Sequence, residues 1–265
     1  MRMEKIFAVV GEDARQQAAG KYLRKQGFGV VGAEEVYSAD YILLPMPLEP
    51  EKTGLARLLR AAKPGAVAFG GRVSPQVQAA GAAAGVPIED YFLRPELAEL
   101  NAVPTAEGCL ALLMAHRDRT LWGSRVLVAG YGRIGRALGL RLKALGADVT
   151  VAARRAGQRG QAMADGLEAA DTAELARAVS LADCCVNTVP AKLFTAEVLE
   201  KMGRETLLVD LASRPGGVDD EAARRLGVKL IHGLSLPARH APETAGELVG
   251  STVLAMLRER EGGMA

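Results

Sequence analysis

Short apolar runs alternate with stretches of helical spacing along the whole chain. Residues 5–10 form an apolar run closed by Gly11, and residues 13–26 are helix-compatible up to Gly27. Further strands are predicted at 28–31, 41–44 and 66–69, with helices at 51–62 and 74–84. Pro45 and Pro47 close the run at 41–44, because proline cannot donate to a central ladder. After residue 124 the alternation resumes with strands at 126–129, 148–152, 183–187, 207–210 and 228–231. Helices are predicted at 134–145, 172–179, 195–202, 219–226 and 243–260. Strand and helix in strict turn are the pattern of open parallel sheets covered on both faces. Between the two series lies a connection that opens at 101–107, where Thr105 is expected to cap a helix running to about residue 119.

Gly130, Gly132 and Gly135 form GxGxxG between the strand at 126–129 and its helix, with Tyr131, Arg133 and Ile134 at the intervening positions. The first glycine permits the tight turn and the second lets backbone approach a pyrophosphate. The third lets the helix pack closely on the strand. The phosphate would rest on the helix N-terminus. An NAD site usually holds the ribose 2′-hydroxyl with a carboxylate after the next strand. Here Ala153 stands there, followed by Arg154 and Arg155, with Arg159 close behind. A missing acid and a present guanidinium favour NADP over NAD. The expected fold is therefore α/β with two open parallel domains. Residues 1–104 form a substrate-side domain, and residues 105–242 hold the connecting helix and a Rossmann dinucleotide-binding fold with six strands. The C-terminal helix, 243–265, is expected to pack back on the first domain, since the second is complete without it.

Composition narrows the classes of function. A net charge of +2 leaves no electrostatic footprint for nucleic acid or an anionic membrane. Cys109, Cys184 and Cys185 have neither metal-ligand spacing nor a disulfide framework, so no metal is expected, and Cys184 and Cys185, ahead of Val186 on an apparent buried strand, read as small core residues. Neither a signal peptide nor a spanning apolar run of about 20 residues is seen, and the expected location is the cytoplasm.

Ligands of open parallel sheets bind beyond the carboxyl ends of the strands. That rule selects Asn187, Thr188 and Pro190, then residues 213–217, then residues 233–237. In the segment DLASRPGG, Ser213 offers a hydroxyl and Arg214 a fork suited to a carboxylate, while its glycines admit backbone contact. Thr105 and Glu107 stand at the start of the connecting helix, whose dipole could face an anionic ligand. Equally, Thr105 only caps and Glu107 only complements the dipole. His240, in the loop before the last helix, suits proton transfer near neutral pH, although a loop histidine is more often inert. His116 and His232 receive no role.

Several segments together resemble the dipicolinate synthase A-chain family: NAVPTAEG at 101–108, GYGRIGR, VTVAARR, VNTVPA, DLASRPGG and APETAGEL at 241–248. The first 90 residues contribute least. The resemblance implies NADP-dependent oxidation of a cyclic dihydro- or tetrahydrodipicolinate-type intermediate to pyridine-2,6-dicarboxylate, the spore calcium chelator. It also implies, as partner, the second and flavoprotein-like subunit of dipicolinate synthase, and a homo-oligomer is expected. On this reading Arg214 and Thr105 orient the dicarboxylate, Ser213 and Asn187 contact the nicotinamide side, and the proton-abstracting base is unassigned. His240 departs from the family pattern, in which an apolar or variable residue often precedes the Ala-Pro. D-2-hydroxyacid dehydrogenases share the two-domain layout, with Arg214 and His240 as their carboxylate anchor and acid/base, but the spacing fits poorly. A noncatalytic subunit that senses NADP is the third reading.

Overall fold

The computed structural model describes residues 5–262 and divides into two units. One is the chain up to Asn101 together with the chain from Ala241, and the other is Ala102–His240.

In the first unit the chain runs β1 (Ile6–Val9), α1 (Ala14–Lys25), β2 (Gly29–Val31), β3 (Tyr41–Leu43), α2 (Pro50–Thr53) and α3 (Leu55–Arg60). It continues through β4 (Val67–Gly70), α4 (Pro75–Ala84), β5 (Ile88–Asp90) and α5 (Pro95–Leu100). The five strands are parallel in the order β2-β1-β3-β4-β5. Their central positions are buried on both faces, Phe7 and Phe69 in one cluster and Ala8, Ile42 and Ala68 in another, which is why the runs read as continuously apolar. The C-terminal helix (Pro242–Gly262) lies against α1. A Cβ on Gly246 would stand 2.4 Å from the Arg15 carbonyl, and one on Gly250 would stand 2.7 Å from the Tyr22 ring. Backbones that close admit only glycine. Val249, Val253, Leu254 and Leu257 then join Phe7, Ala19 and Leu23 in one core cluster.

Two features of this unit differ from the sequence expectation. The helix at 51–62 is two helices broken at Gly54, whose φ of 59° is left-handed. β5 was not expected, because Ile-Glu-Asp places two acids where an apolar run would mark a strand.

The second unit runs α6 (Ala102–Ala115), β6 (Arg125–Ala129), α7 (Arg133–Ala144), β7 (Asp148–Ala152), α8 (Ala156–Ala164), β8 (Glu168–Ala170) and α9 (Leu175–Leu181). It closes with β9 (Cys184–Asn187), α10 (Ala196–Leu199), β10 (Leu207–Asp210), α11 (Asp220–Leu226), β11 (Lys229–His232) and α12 (Leu236–His240). The order β11-β10-β9-β6-β7-β8 is the dinucleotide-binding order, with β8 as the sixth strand that the apolar pattern implied without locating. All three cysteines are buried, and burial pushes the Cys184 thiol up to about 11, so they serve packing.

The connecting helix corrects one expectation. α6 begins at Ala102 and ends at Ala115, so Thr105 lies inside it and does not cap it. Pro104 falls in the first turn, where a missing N–H costs nothing, so the helix starts ahead of it. Among the described residues, Pro95–Ala115 is one stretch long and apolar enough to cross a membrane by length and composition, contrary to the sequence expectation. Half of it is buried, and it contains the separate helices α5 and α6.

Candidate functional site

Strand order in the second sheet reverses between β6 and β9, so their carboxyl ends open a crevice. The three glycines there meet different surroundings. Gly130 has φ +95°, and a Cβ on it would strike the Thr188 hydroxyl at 2.4 Å. That hydroxyl donates to the Ala129 carbonyl at 2.9 Å. A Cβ on Gly135 would stand 2.1 Å from the Gly130 carbonyl, so the turn and α7 can touch only without it. Gly132 has nothing within 4 Å of its Cβ position, and its φ of −85° suits any residue. Packing gives no reason for a glycine there, whereas a pyrophosphate laid across the turn does. α7 supports the same ligand: it has no side-chain cap and no acid in its first turn, so its N–H donors face outward. These residues fit a dinucleotide.

Tyr131 contributes backbone to the turn, and its ring is turned into the fold. Its hydroxyl donates to Asp165 at 2.8 Å, which also accepts from Arg136 at 2.8 Å and Gln161 at 3.2 Å. Arg136, followed by Tyr131, holds the Asp165 carboxyl down at about 2, while burial, followed by the Asp165 charge, pushes the Tyr131 phenol up. Ile134 is half-buried against the core.

At the end of β7, Ala153 is buried, and no carboxylate replaces it. Arg159 donates to the carbonyls of Ala153 and Arg154, each at 2.8 Å, and pairs with Asp171 at 2.6 Å. Arg159 therefore shapes the loop. Arg154 and Arg155 are exposed, and their side chains make no hydrogen bond or ion pair among the described residues.

A buried polar brace, invisible in the sequence, holds the loops after β9 and β10. Asn187 is fully buried, and its amide donates to Asp210 at 2.8 Å and to the Val189 carbonyl at 3.0 Å while its oxygen accepts from Val189. The expected contact of Asn187 with the nicotinamide thus meets an amide already engaged on both sides. Asp210, 1% exposed, also accepts from the Ala212 and Gly217 amides at 3.1 Å. A Cβ on Gly217 would lie 2.1 Å from the Asn187 amide, so this loop closes only over glycine. Ser213 and Arg214 are left exposed at the top of the braced loop. His232 Nε2 donates to the Asp220 carboxylate at 2.9 Å, and its Nδ1 lies 3.9 Å from Asp210.

The remaining sequence-selected residues separate. Thr105 is 7% exposed. The His240 ring, on α12, rests over Gly108 one turn along α6, where a Cβ would meet it at 3.2 Å. His240 is exposed, with no hydrogen bond to a described residue. Glu107 is exposed and pairs with Arg141 of α7 at 3.4 Å. A groove of about 670 Å³ lined by Arg125, Asp148, Glu168 and Arg177 begins at the opposite ends of β6 and β7 from the glycine turn.

Comparison with known proteins adds to this geometry. Residues 111–226 match the family described as D-isomer specific 2-hydroxyacid dehydrogenase, NAD binding domain. The chain is 39% identical over 168 residues to the dipicolinate synthase A chain of Bacillus subtilis (strain 168), a match spanning 63% of this chain and 57% of that protein. A solved dipicolinate synthase A chain from Bacillus subtilis is 30% identical over 99% of both chains, with a TM-score of 0.84. The solved dipicolinate synthase A chain from Bacillus halodurans is 27% identical, covers 96% of this chain and 97% of that one, and has a TM-score of 0.85.

Proposed function

This chain belongs to the dipicolinate synthase A-chain family, and on that premise we propose that it is an NADP-dependent oxidoreductase. Its reaction is the oxidation of a cyclic dihydro- or tetrahydrodipicolinate-type intermediate to pyridine-2,6-dicarboxylate. The observation that carries the cofactor choice is the unpartnered pair Arg154 and Arg155 after β7, where no carboxylate stands. Two guanidinium forks there match a ribose 2′-phosphate. The amides at the start of α7 take the pyrophosphate over Gly132.

NADP, when bound, supplies the hydride acceptor. The chain's own residues hold and orient. Asp210 and Asn187 keep the loop after β10 in one shape, so that Arg214 presents its fork to a substrate carboxylate and Ser213 its hydroxyl. On this reading Thr105, buried in α6, orients substrate, and His240, whose ring rests over Gly108 of the same helix, is the titratable group at hand for the ring proton. We extend the proposal to assembly and setting: the flavoprotein-like second subunit of dipicolinate synthase as partner and further copies of this chain, in the cytoplasm during sporulation.

One further observation favours a second reading. Residues 111–226 match the family described as D-isomer specific 2-hydroxyacid dehydrogenase, NAD binding domain; on that reading Arg214 would serve as carboxylate anchor and His240 as acid/base, with a spacing that fits poorly. Nicotinamide absorbance decides between them. Purified chain is given freshly made dihydrodipicolinate synthase product with NADP or NAD, and 2-oxo acids with the reduced cofactors. Reduction of NADP with formation of the aromatic dicarboxylate is expected. Turnover of 2-oxo acids alone would establish the second reading, and tight NADP binding with no turnover, even with the flavoprotein-like partner added, would leave a sensor.

A further inference from the structure

The sheet of the first unit also has a point of reversal, between β1 and β3. Ligands of open parallel sheets sit outside the carboxyl ends at such a point. The segments that follow β1, β3, β4 and β5 supply a polar cluster that the fold does not use up. Arg15, in the first turn of α1, is 8% exposed. One guanidinium nitrogen donates to the Met46 carbonyl and lies 3.9 Å from the Asp13 carboxylate, and Arg15 makes no other side-chain hydrogen bond among the described residues. A guanidinium carries five N–H donors, so most of the fork is uncommitted.

Gly71, after β4, continues the cluster. A Cβ there would lie 2.6 Å from the Met46 sulfur and 2.8 Å from the Tyr91 ring, so the Arg15 acceptor, the turn and Tyr91 are contiguous. Tyr91 is 0% exposed, and its hydroxyl has no hydrogen-bond partner. The Arg15 charge reaches that phenol, opposing the upward push of burial. Buried hydroxyls are almost always paired, so an orphan beside a half-used guanidinium calls for a group that accepts from both. Arg72 adds a second cation. It holds φ +57°, a left-handed conformation that residues other than glycine seldom adopt. Asp90 fixes it there by accepting from the Arg72, Val73 and Phe92 amides at 3.1, 2.8 and 2.8 Å. The Arg72 guanidinium lies 5.0 Å over the Phe92 ring.

We propose that Arg15, the Tyr91 hydroxyl and Arg72 form a binding site for a small carboxylate-bearing ligand within the first unit. Arg15 presents its fork to one carboxylate, Tyr91 donates to the same group, and Arg72 gives a dicarboxylate its second charge partner. The site requires neither the cofactor nor the reaction proposed for the second unit.

The test is a titration of the full chain, carrying ¹³C at methionine methyls, with pyridine-2,6-dicarboxylate and no cofactor. The Met46 resonance is expected to move saturably. Arg15→Gln should weaken that titration by about 10-fold or more, the worth of a charged hydrogen bond. Tyr91→Phe should weaken it by roughly 3- to 10-fold while leaving the ligand-free melting temperature unchanged or higher, since it removes no hydrogen bond. A purely structural tyrosine would not separate those two readouts. A Met46 resonance that stays still up to about 10 mM probe, or that titrates in Tyr91→Phe with wild-type affinity, overturns the proposal. Absence of turnover in the reaction above leaves this titration unchanged, so the two readings fail separately.

Discussion

Gly132 and Gly135 differ in what a methyl group would meet, and that difference separates binding from folding. Gly132→Ala places a methyl in open space with an ordinary φ, so the fold should hold within about 0.5 kcal/mol. In the proposed site the same methyl would stand in the path of a pyrophosphate, and NADP affinity measured by calorimetry should fall about 10-fold or more. Gly135→Ala instead drives a methyl into the Gly130 carbonyl, and denaturant unfolding should show a loss of roughly 1–3 kcal/mol. In the proposed NADP site, Arg154 and Arg155 would carry the cofactor choice by charge alone. Replacing both with Ser should raise KM for NADP by about 10- to 100-fold while leaving NAD almost unaffected. An equal change for the two cofactors would sink the 2′-phosphate assignment.

Between elements, a single carboxylate ties the glycine turn to two helices. Asp165 takes hydrogen bonds from Tyr131, from Arg136 of α7 and from Gln161 of α8. Its carboxyl is held at about 2, below the usual range near 3.9. Because the folded value is depressed, the contribution is fully present above the unfolded value and fades as pH falls through about 2. Asp165→Asn should therefore melt below wild type at pH 7, with the gap narrowing only under pH 4 and closing near pH 2. Circular dichroism melts across that range check the sign. α1 and the C-terminal helix make the other close pairing, since Gly246 leaves no room for a methyl beside Arg15 and Ala18. Gly246→Ala should cost about 1–3 kcal/mol in denaturant unfolding.

At the level of the molecule, each unit has core clusters of its own among the described residues. Those of the second unit draw on Ala106 through Leu236, and those of the first on Phe7 through Leu97 and Val249 through Leu257. The C-terminal helix is thus part of the first unit's interior although it follows the whole second unit in the chain. A chain ended at His240 should keep NADP binding but lose one unfolding transition in calorimetry, because the partners of Phe7, Ala19 and Leu23 are gone. Loss of NADP binding in that chain would contradict the independence of the second core.

What the amino-acid order alone determined is whatever is written in contiguous residues. Two parallel sheets, the glycine turn and the arginines after β7 follow from apolar runs, turn residues and a fingerprint of about 30 residues. β5 and β8 escaped because Ile-Glu-Asp and Glu-Ala-Ala carry acids and alanines in place of a β-branched apolar run, and the start of α6 escaped because Pro104 reads as a breaker unless it falls in a first turn. Side-chain partnerships were decided only by the tertiary structure. Asn187 reads as an open ligand donor until Asp210, on a different strand, is seen to occupy it. His240 gains a place only when α12 returns to Gly108, and Arg15 and Tyr91 are brought to the same end of the sheet, through Met46 and Gly71, only by the parallel order of β1, β3, β4 and β5. Local propensity acts over a turn or two of chain, whereas burial and charge act through space, and the topology of the sheets chooses which distant residues share it.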